Sequence, residues 1–491
     1  VKIYIWIQEK SGIVGLKVGI ARGDITPDLP IDLVGYSRRA DSVDEVRRPL
    51  LATVLVLDDG STRLAIVAID ILALDHKSSI MFRELIANEI DCKAETVMLN
   101  FSHTHAGPQA VADSIKIGGR QTSLSKNEIS FIESLPKKIK KIANEAADQM
   151  VDAATASAIG SVNLTVNRRE RSPEGKTILG WNKEGLCDQE VGVIRIDSLE
   201  GSNLAVIVNF ACHPVVVGPE DQAVNSDFVG PMRDFVESYY GGTCIFLQGA
   251  AGNILPIEGF FDHEGPEVVF GKRLAAEVIA VSADLQPVAM AIEKVNYGSV
   301  TPISLYRKTP EDKESTQSIS SFAMTVDLPL KKLPKKLEIQ AEKDQHLEVY
   351  NSAKNDGASS EQLNPIEYHI NWADYALELL EKGWDSQYVP AFLQVFRIDE
   401  TAIVGIPGEL FSEIAIKIKS FLPSKNILVG GYTNGVISYL PTAEEYKYGG
   451  YECDYAHHSW GLIEQVAPET EGLLLDASSV MLEEVWNQDS V

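Results

Sequence analysis

Apolar residues along this chain gather into short extended runs joined by polar, acidic turns, and one unit of this kind recurs three times. ATVLVL, the turn DDGS and TRLAIVAIDIL over 52–72 read as a β-hairpin by apolar content and turn chemistry. VGVIRID, SLEGSN and LAVIVNFACHP repeat the unit over 191–213, and FLQVFRID with ETAIVGIPGE repeats it over 392–409. The intervening lengths differ too much for tandem domains, so the repetition belongs inside one fold. Helical spacing predicts helices over 76–90, over 127–150 with Pro136 kinking or interrupting it, from about 266 to 285, and over 409–420, with another opening in NSDFVGPMRDFVESYY. Further strands are predicted at 18–26, 155–166, and in TCIFLQ and NILVGG. The sum is an α/β fold: a layered mixed β-sheet flanked by helices, with chemistry at strand ends. Residues 303–390 differ, being charged and poor in large apolar residues, with helices expected near 338–354 and 366–382. They read as a helical insertion or cap on a body formed by 15–302 and 391–475, with 1–14 as an N-terminal extension.

With 491 residues, 45% of them apolar, the chain can bury a large core. Seventy acidic residues against forty-four basic ones give a net charge of −26, a field that repels phosphate backbones and excludes nucleic acid as a partner. The longest apolar run, LAIVAIDILAL at 64–74, is cut by Asp70, so no stable membrane insertion is expected. Five scattered cysteines without a CxxC spacing read as small buried apolar residues and point to a reducing, cytoplasmic compartment. The chain begins at Val1 and not at methionine, which leaves open secretion after removal of an upstream signal peptide. Nothing in the pattern bears on oligomeric state.

Candidate chemistry concentrates where apolar strands stop. ETVMLNFSHTHAGPQ (95–109) runs a strand pattern into His103 and His105, which two-residue alternation would place on one face. Two such histidines also serve as ordinary hydrogen-bonding groups against a loop. The rest of the inventory favours a shared cation, because there are only nine histidines and His213 repeats the context, an apolar strand closing on His-Pro. A third such strand closes on Glu409, and imidazole with carboxylate suits zinc. In VNRRERS three arginines crowd together after a strand; such a run is commonly solvated, and its position also suits a substrate contact. Asp70 and Asp227 are weaker candidates for fixing a histidine tautomer. Tyr439 and the tyrosines of 446–455 fit either rim packing or a pocket wall.

Five ordered pieces carry a resemblance: SHTHAGP (102–108), FACHP (210–214), GNILP (252–256), IPGELF (406–411) and SYLPTAEEY (438–446). On these the chain is identified as a member of the neutral/alkaline ceramidase superfamily, over most of residues 15–465. The resemblance implies a zinc amidohydrolase with one Zn2+ held by His103, His213, Glu409 and Tyr439. Strand endings already single out the first three; Tyr439 comes from the resemblance alone. Zinc with an open position lowers the pKa of its water from about 16 to roughly 7, which supplies the nucleophile for an amide carbonyl. His105 would orient that water or pass its proton to the leaving amine, Arg168 matches the family's substrate-contacting Asn-Arg, and Tyr451 would stabilise the oxyanion.

Two departures bear on the reaction. The family's Gly-Asp-x-Ser-Pro loop carries Asn253 for its aspartate and Leu255 for its serine, which excludes a serine nucleophile there. Only about 45 residues follow Tyr446, so the expectation is a catalytic domain without the family's C-terminal immunoglobulin-like domain. The expected partner is a small-molecule amide or a lipid-like substrate, more soluble than ceramide, since no basic membrane patch or amphipathic anchor stands out. Two alternatives stay open: a zinc esterase or lactonase on the same scaffold, and a non-catalytic binding protein that keeps the fold.

Overall fold

Each of the three predicted hairpins forms, and each is followed by a helix and then a strand parallel to its outgoing arm. Leu51–Asp58 pairs with Arg63–Ile69, helix His76–Ile90 follows, and Val97–Phe101 lies parallel to Arg63–Ile69. Glu190–Ser198 pairs with Asn203–Phe210, helix Val229–Tyr240 follows, and Thr243–Gln248 lies parallel to Asn203–Phe210. Tyr388–Ile398 pairs with Thr401–Gly405, helix Ser412–Lys419 follows, and Asn426–Gly430 lies parallel to Thr401–Gly405. The computed structural model describes residues 15–36, 39, 42–111, 124–297, 300–301, 303–310 and 317–487; the extension 1–14 lies outside them.

The first two units occupy the two ends of one eight-stranded sheet, joined at its centre by Val151–Ser161 and Lys17–Asp24. The third unit and Ile319–Pro329 make a four-stranded sheet. Alternation along the strands explains how the two sheets stack. In Leu51–Asp58 the residues Ala52, Val54 and Val56 join the core under helices His76–Ile90 and Lys126–Asp148, while Leu55 and Leu57 point the other way. There they meet Phe396, Ile403 and Leu428 of the smaller sheet, whose outer face Ala402 and Val404 turn toward helices Ser412–Lys419 and Thr470–Asn487. The result is four layers, helix, sheet, sheet, helix, with strands apolar on both faces as a doubly covered sheet requires. Each fully buried Val, Leu or Ile contributes about 1.5–3 kcal/mol relative to exposure.

Three expectations change in detail. Helix Lys126–Asp148 runs unbroken past Pro136, started by a Ser125–Glu128 capping box and held by a buried stripe that includes Phe131, Leu135, Ile139 and Ile142. The strand expected over 155–166 is two strands, Val151–Ser161 and Thr165–Arg171, and the arginine run lies within the second. Residues 303–390 do supply two helices, Lys336–Asn355 and Ser360–Glu381, but they also supply Ile319–Pro329, paired over its whole length with Tyr388–Ile398. The segment is therefore not only a helical appendage, since one of its strands completes the smaller sheet. Its Phe322, Met324 and Val326 alternate with Ser321, Ala323 and Thr325, and these small residues dilute the apolar signal.

Candidate metal centre

The three units bring their strand ends to one place. Val97–Phe101 ends ahead of His103, Asn203–Phe210 ahead of His213, and Thr401–Gly405 ahead of Glu409. His103 Nε2 lies 3.5 Å and His213 Nε2 3.3 Å from the same carboxylate oxygen, Glu409 Oε2, and all three residues are buried. The partner strand of each unit supplies the group that orients the first. Leu72, past the end of Arg63–Ile69, presents the carbonyl that meets His103 Nδ1 at 2.8 Å. Ala251, past Thr243–Gln248, does the same for His213 Nδ1 at 2.7 Å. Tyr432, past Asn426–Gly430, donates its hydroxyl to Glu409 Oε2 at 3.2 Å. A carbonyl can only accept, so both Nδ1 atoms carry the proton and both Nε2 lone pairs face Glu409.

His105 joins the group, with ring centroids 5.0 Å from His103 and 5.5 Å from His213, though not by strand alternation. The strand stops at Phe101, and His103 takes a left-handed backbone at φ 64°, so a turn brings the two rings together. Side-chain donor atoms of His103, His105 and His213 lie within 4.8 Å of one another. Gly35, at φ +100°, closes over His105: a Cβ there would sit 2.7 Å from the imidazole Cγ. Tyr36 packs on the same ring at 4.9 Å, and Arg39 donates to the His105 carbonyl.

The electrostatics match a cation's needs. Burial, then the neighbouring imidazoles, pushes His105 well below the ordinary histidine range, and burial with Arg168 brings His213 down to about 4. Burial alone would raise Glu409, but His103 and His213 hold it well below the usual carboxylate range. His105 and His213 are thus neutral at pH 7, and Glu409 is ionised. Among the described residues both ring nitrogens of His105, shielded from solvent, have no hydrogen-bond partner, and His213 Nε2 makes no well-aligned one. Each such atom costs about 1–3 kcal/mol when left unsatisfied. Two imidazoles and a carboxylate around one position, with a third imidazole beside them, fit a divalent metal.

Around this group lies a cavity of about 560 Å3. His105, His213, Arg168, Tyr439 and Tyr451 line it, and half-exposed Leu179, Trp181 and Phe260 form an apolar rim. Tyr439 is carried beside Glu409 by a two-residue parallel pairing, Glu409–Leu410 with Tyr439–Leu440. Its ring lies 5.2 Å from the Arg168 guanidinium and 5.4 Å from Tyr451. The arginine run is not a solvated face. Arg168 donates to Glu452 at 2.7 Å and Arg169 to Glu452 and Glu445, each at 2.6 Å, all in the interior or at its edge. Among the described residues one buried terminal nitrogen of Arg168, beside the cavity, has no well-aligned hydrogen-bond partner.

In the GNILP loop Asn253 accepts from the Ser412 backbone N–H at 2.9 Å and donates to Glu413, while its carbonyl accepts from Arg168 N–H at 2.8 Å. The loop therefore braces the segment after Glu409, and Leu255 merely lines the cavity. The tautomer-fixing expectation for Asp70 and Asp227 is corrected. Asp70 pairs with Arg233 through both oxygens, at 3.1 and 2.6 Å, and the Asp227 carboxylate accepts from Val217 and Phe228 N–H. Backbone carbonyls do that work for the histidines. Two residues escaped sequence reasoning: Tyr432, and Trp460, whose indole donates to Glu409 Oε1 at 3.2 Å. Tyr432 was findable as a fourth polar group at a strand end; Trp460 only as part of an aromatic-rich segment.

A four-layer α/β body with a buried imidazole–carboxylate group beneath an apolar cleft is the frame of a hydrolase. The chain belongs to the neutral/alkaline non-lysosomal ceramidase family, whose N-terminal sequence model matches residues 16–328. It is also similar to two solved structures. One is a ceramidase complexed with C2, at 16% identity, covering 96% of this chain and 76% of the other, with a TM-score of 0.64. The second is neutral ceramidase from Pseudomonas aeruginosa, at 17% identity over 96% and 75%, with a TM-score of 0.63. At that identity the likeness is one of fold. The chain is thus a ceramidase-family hydrolase, in keeping with amide-bond hydrolysis. Among the described residues no helix is long and apolar enough to cross a membrane.

Proposed function

We propose that this chain is a zinc-dependent amidohydrolase that cleaves the linear amide of an N-acyl compound whose acyl part is apolar. What supports the reading most is the meeting of His103, His213 and Glu409 around one oxygen position at the floor of an apolar-rimmed cavity. His103, His213, Glu409 and Tyr439 would hold the metal. Bound zinc supplies a positive charge that polarises a carbonyl and acidifies a water. The protein's own residues do the rest. The Leu72 and Ala251 carbonyls fix the tautomers of His103 and His213, and Tyr432 and Trp460 hold the Glu409 carboxylate in place. His105 lines the cavity with both ring nitrogens unengaged, and a neutral imidazole so placed takes a proton and returns it to a departing amine nitrogen. The buried Arg168 nitrogen and the Tyr451 hydroxyl are the donors for the carbonyl oxygen as it gains charge.

Leu179, Trp181 and Phe260 at the rim favour an apolar acyl group, and a net charge of −26 disfavours delivery from an anionic surface. The test is a panel of N-acyl amides and matched esters of graded chain length, assayed with zinc-loaded protein. Amide turnover should rise with acyl length and stop on chelation. His105→Ala should keep its zinc while turnover falls roughly 100-fold or more, in line with the loss of a general acid–base. His213→Ala should lose the metal of this centre. Preference for esters over amides would give the scaffold an esterase role, and zinc-independent turnover would refute the reading.

A further inference from the structure

Four of the nine histidines lie away from the centre described above, where helices Lys336–Asn355 and Ser360–Glu381 meet the short helical turn Ala456–Trp460. His346 and His369 come from the two helices, and His457 and His458 from the turn. Donor atoms of Glu342, His369 and His458 all lie within 4.8 Å of one another. His369 Nδ1 and His458 Nδ1 are 3.3 Å apart. Two imidazole nitrogens bound at about 2.0–2.1 Å to a tetrahedral zinc are separated by about 3.3–3.4 Å, so the observed spacing is that of a ligand pair. A plain hydrogen bond between two imidazoles would explain the spacing alone; the Glu342 carboxylate, 3.9 Å from His346 Nε2, also lies within reach of the same point.

The rings are held in place before any ion arrives. His458 stacks on Trp372 at 3.7 Å and 13°, and the Trp372 indole is tied to the Leu462 carbonyl at 2.8 Å. His369 stacks on His346 at 4.5 Å and 7°, and its neighbour Tyr368 bonds to Ser459 at 2.7 Å. Such preset side chains lower the ordering cost of binding a cation.

We infer that Glu342, His369 and His458 form a second binding site for a divalent transition-type cation such as zinc, distinct from the His103–His213–Glu409 centre. Two imidazoles and a carboxylate are a donor set of that class, and an open position remains for water. The site would fasten both helices to the body at the edge of the cleft, because His369 lines the cavity and His458 shares its turn with Trp460, the donor to Glu409. Loading it would therefore bear on how firmly the first centre is held.

The experiment is zinc titration of the chelator-treated full chain, read by calorimetry and by elemental analysis after gel filtration, with circular dichroism to verify folding. Wild-type protein should retain roughly two equivalents. Glu342→Gln, a mild change on a partly exposed helix position, and His458→Gln should each retain roughly one, as should His213→Ala, and the double variant Glu342→Gln/His213→Ala essentially none. Cobalt in place of zinc provides a second readout: Glu342→Gln should remove one set of visible absorption bands and leave the other. Saturation of wild-type protein at one equivalent that Glu342→Gln leaves untouched would overturn the inference, as would two equivalents surviving in both second-site variants. One equivalent lost in Glu342→Gln and kept in His213→Ala would uphold this site and remove the first, so the two readings fail separately.

Discussion

At the scale of single residues, most of what organises the centre is not His103, His213 and Glu409 but the groups that aim them. His103 and His213 point correctly because two carbonyls fix their protonated nitrogens, and Glu409 because a tyrosine and a tryptophan each donate to one of its oxygens. Removing such an outer partner commonly costs 10–100-fold in metal affinity. Tyr432→Phe keeps the ring that packs 4.3 Å from His103 and deletes only the hydroxyl. Its zinc affinity, measured by competition with a chromogenic chelator, should fall by about that 10–100-fold, with little change in stability. An unchanged affinity would mean that Trp460 and the backbone position Glu409 without this hydroxyl. Leu255 makes the complementary point, since it presents only an apolar wall to the cavity.

At the scale of elements, the hairpin–helix–parallel strand unit is the device that builds the site. Each copy delivers a pair of strand ends, and each pair delivers one candidate ligand with its orienting group. Loops must then pack tightly to let three such pairs converge, and Gly252 marks the tightest approach. A Cβ at that position would run into the carbonyl of Glu409. Gly252→Ala should therefore displace the Glu409 segment, lowering metal content and turnover together while the distant four-layer core stays folded. Elemental analysis beside circular dichroism checks this, and full metal occupancy in the variant would show that the loop yields without moving Glu409. Hairpins, the helix over 76–90 and the endings at His103, His213 and Glu409 were legible because period and turn chemistry are local signals. Ile319–Pro329 was not, because its small polar residues gain a reason to be extended only from Tyr388–Ile398 beside it. The burial of the arginines of Thr165–Arg171 was hidden for a similar reason: their carboxylate partners, Glu445 and Glu452, lie hundreds of residues away.

At the scale of the whole molecule, stability depends on buried charge as well as on the sandwich of apolar faces. Asp227, wholly buried, has its carboxyl pushed up to about 7 by desolvation, against the pull of the backbone N–H groups of Val217 and Phe228. An unfolded chain would release that proton near pH 3.9. Because the folded value is the higher one, the contribution is complete below about pH 4 and is lost as pH rises through about 7. Urea unfolding at pH 5, 6, 7 and 8 should therefore give wild-type stability that declines more steeply with pH than that of Asp227→Asn, which has no proton to lose. Parallel curves for the two proteins would show that the carboxyl is ionised throughout.

Reading along the chain was enough to establish the α/β class, the repeated hairpins and three of the residues that meet around one oxygen, because these follow from side-chain period and from what stands where a strand stops. It could not establish how they meet. The turn at His103, the carbonyls of Leu72 and Ala251, the reach of Tyr432 and Trp460 to Glu409, and the imidazole cluster at the cleft edge all join segments far apart in number. Such contacts are decided by how sheets stack and loops close, which no local pattern records.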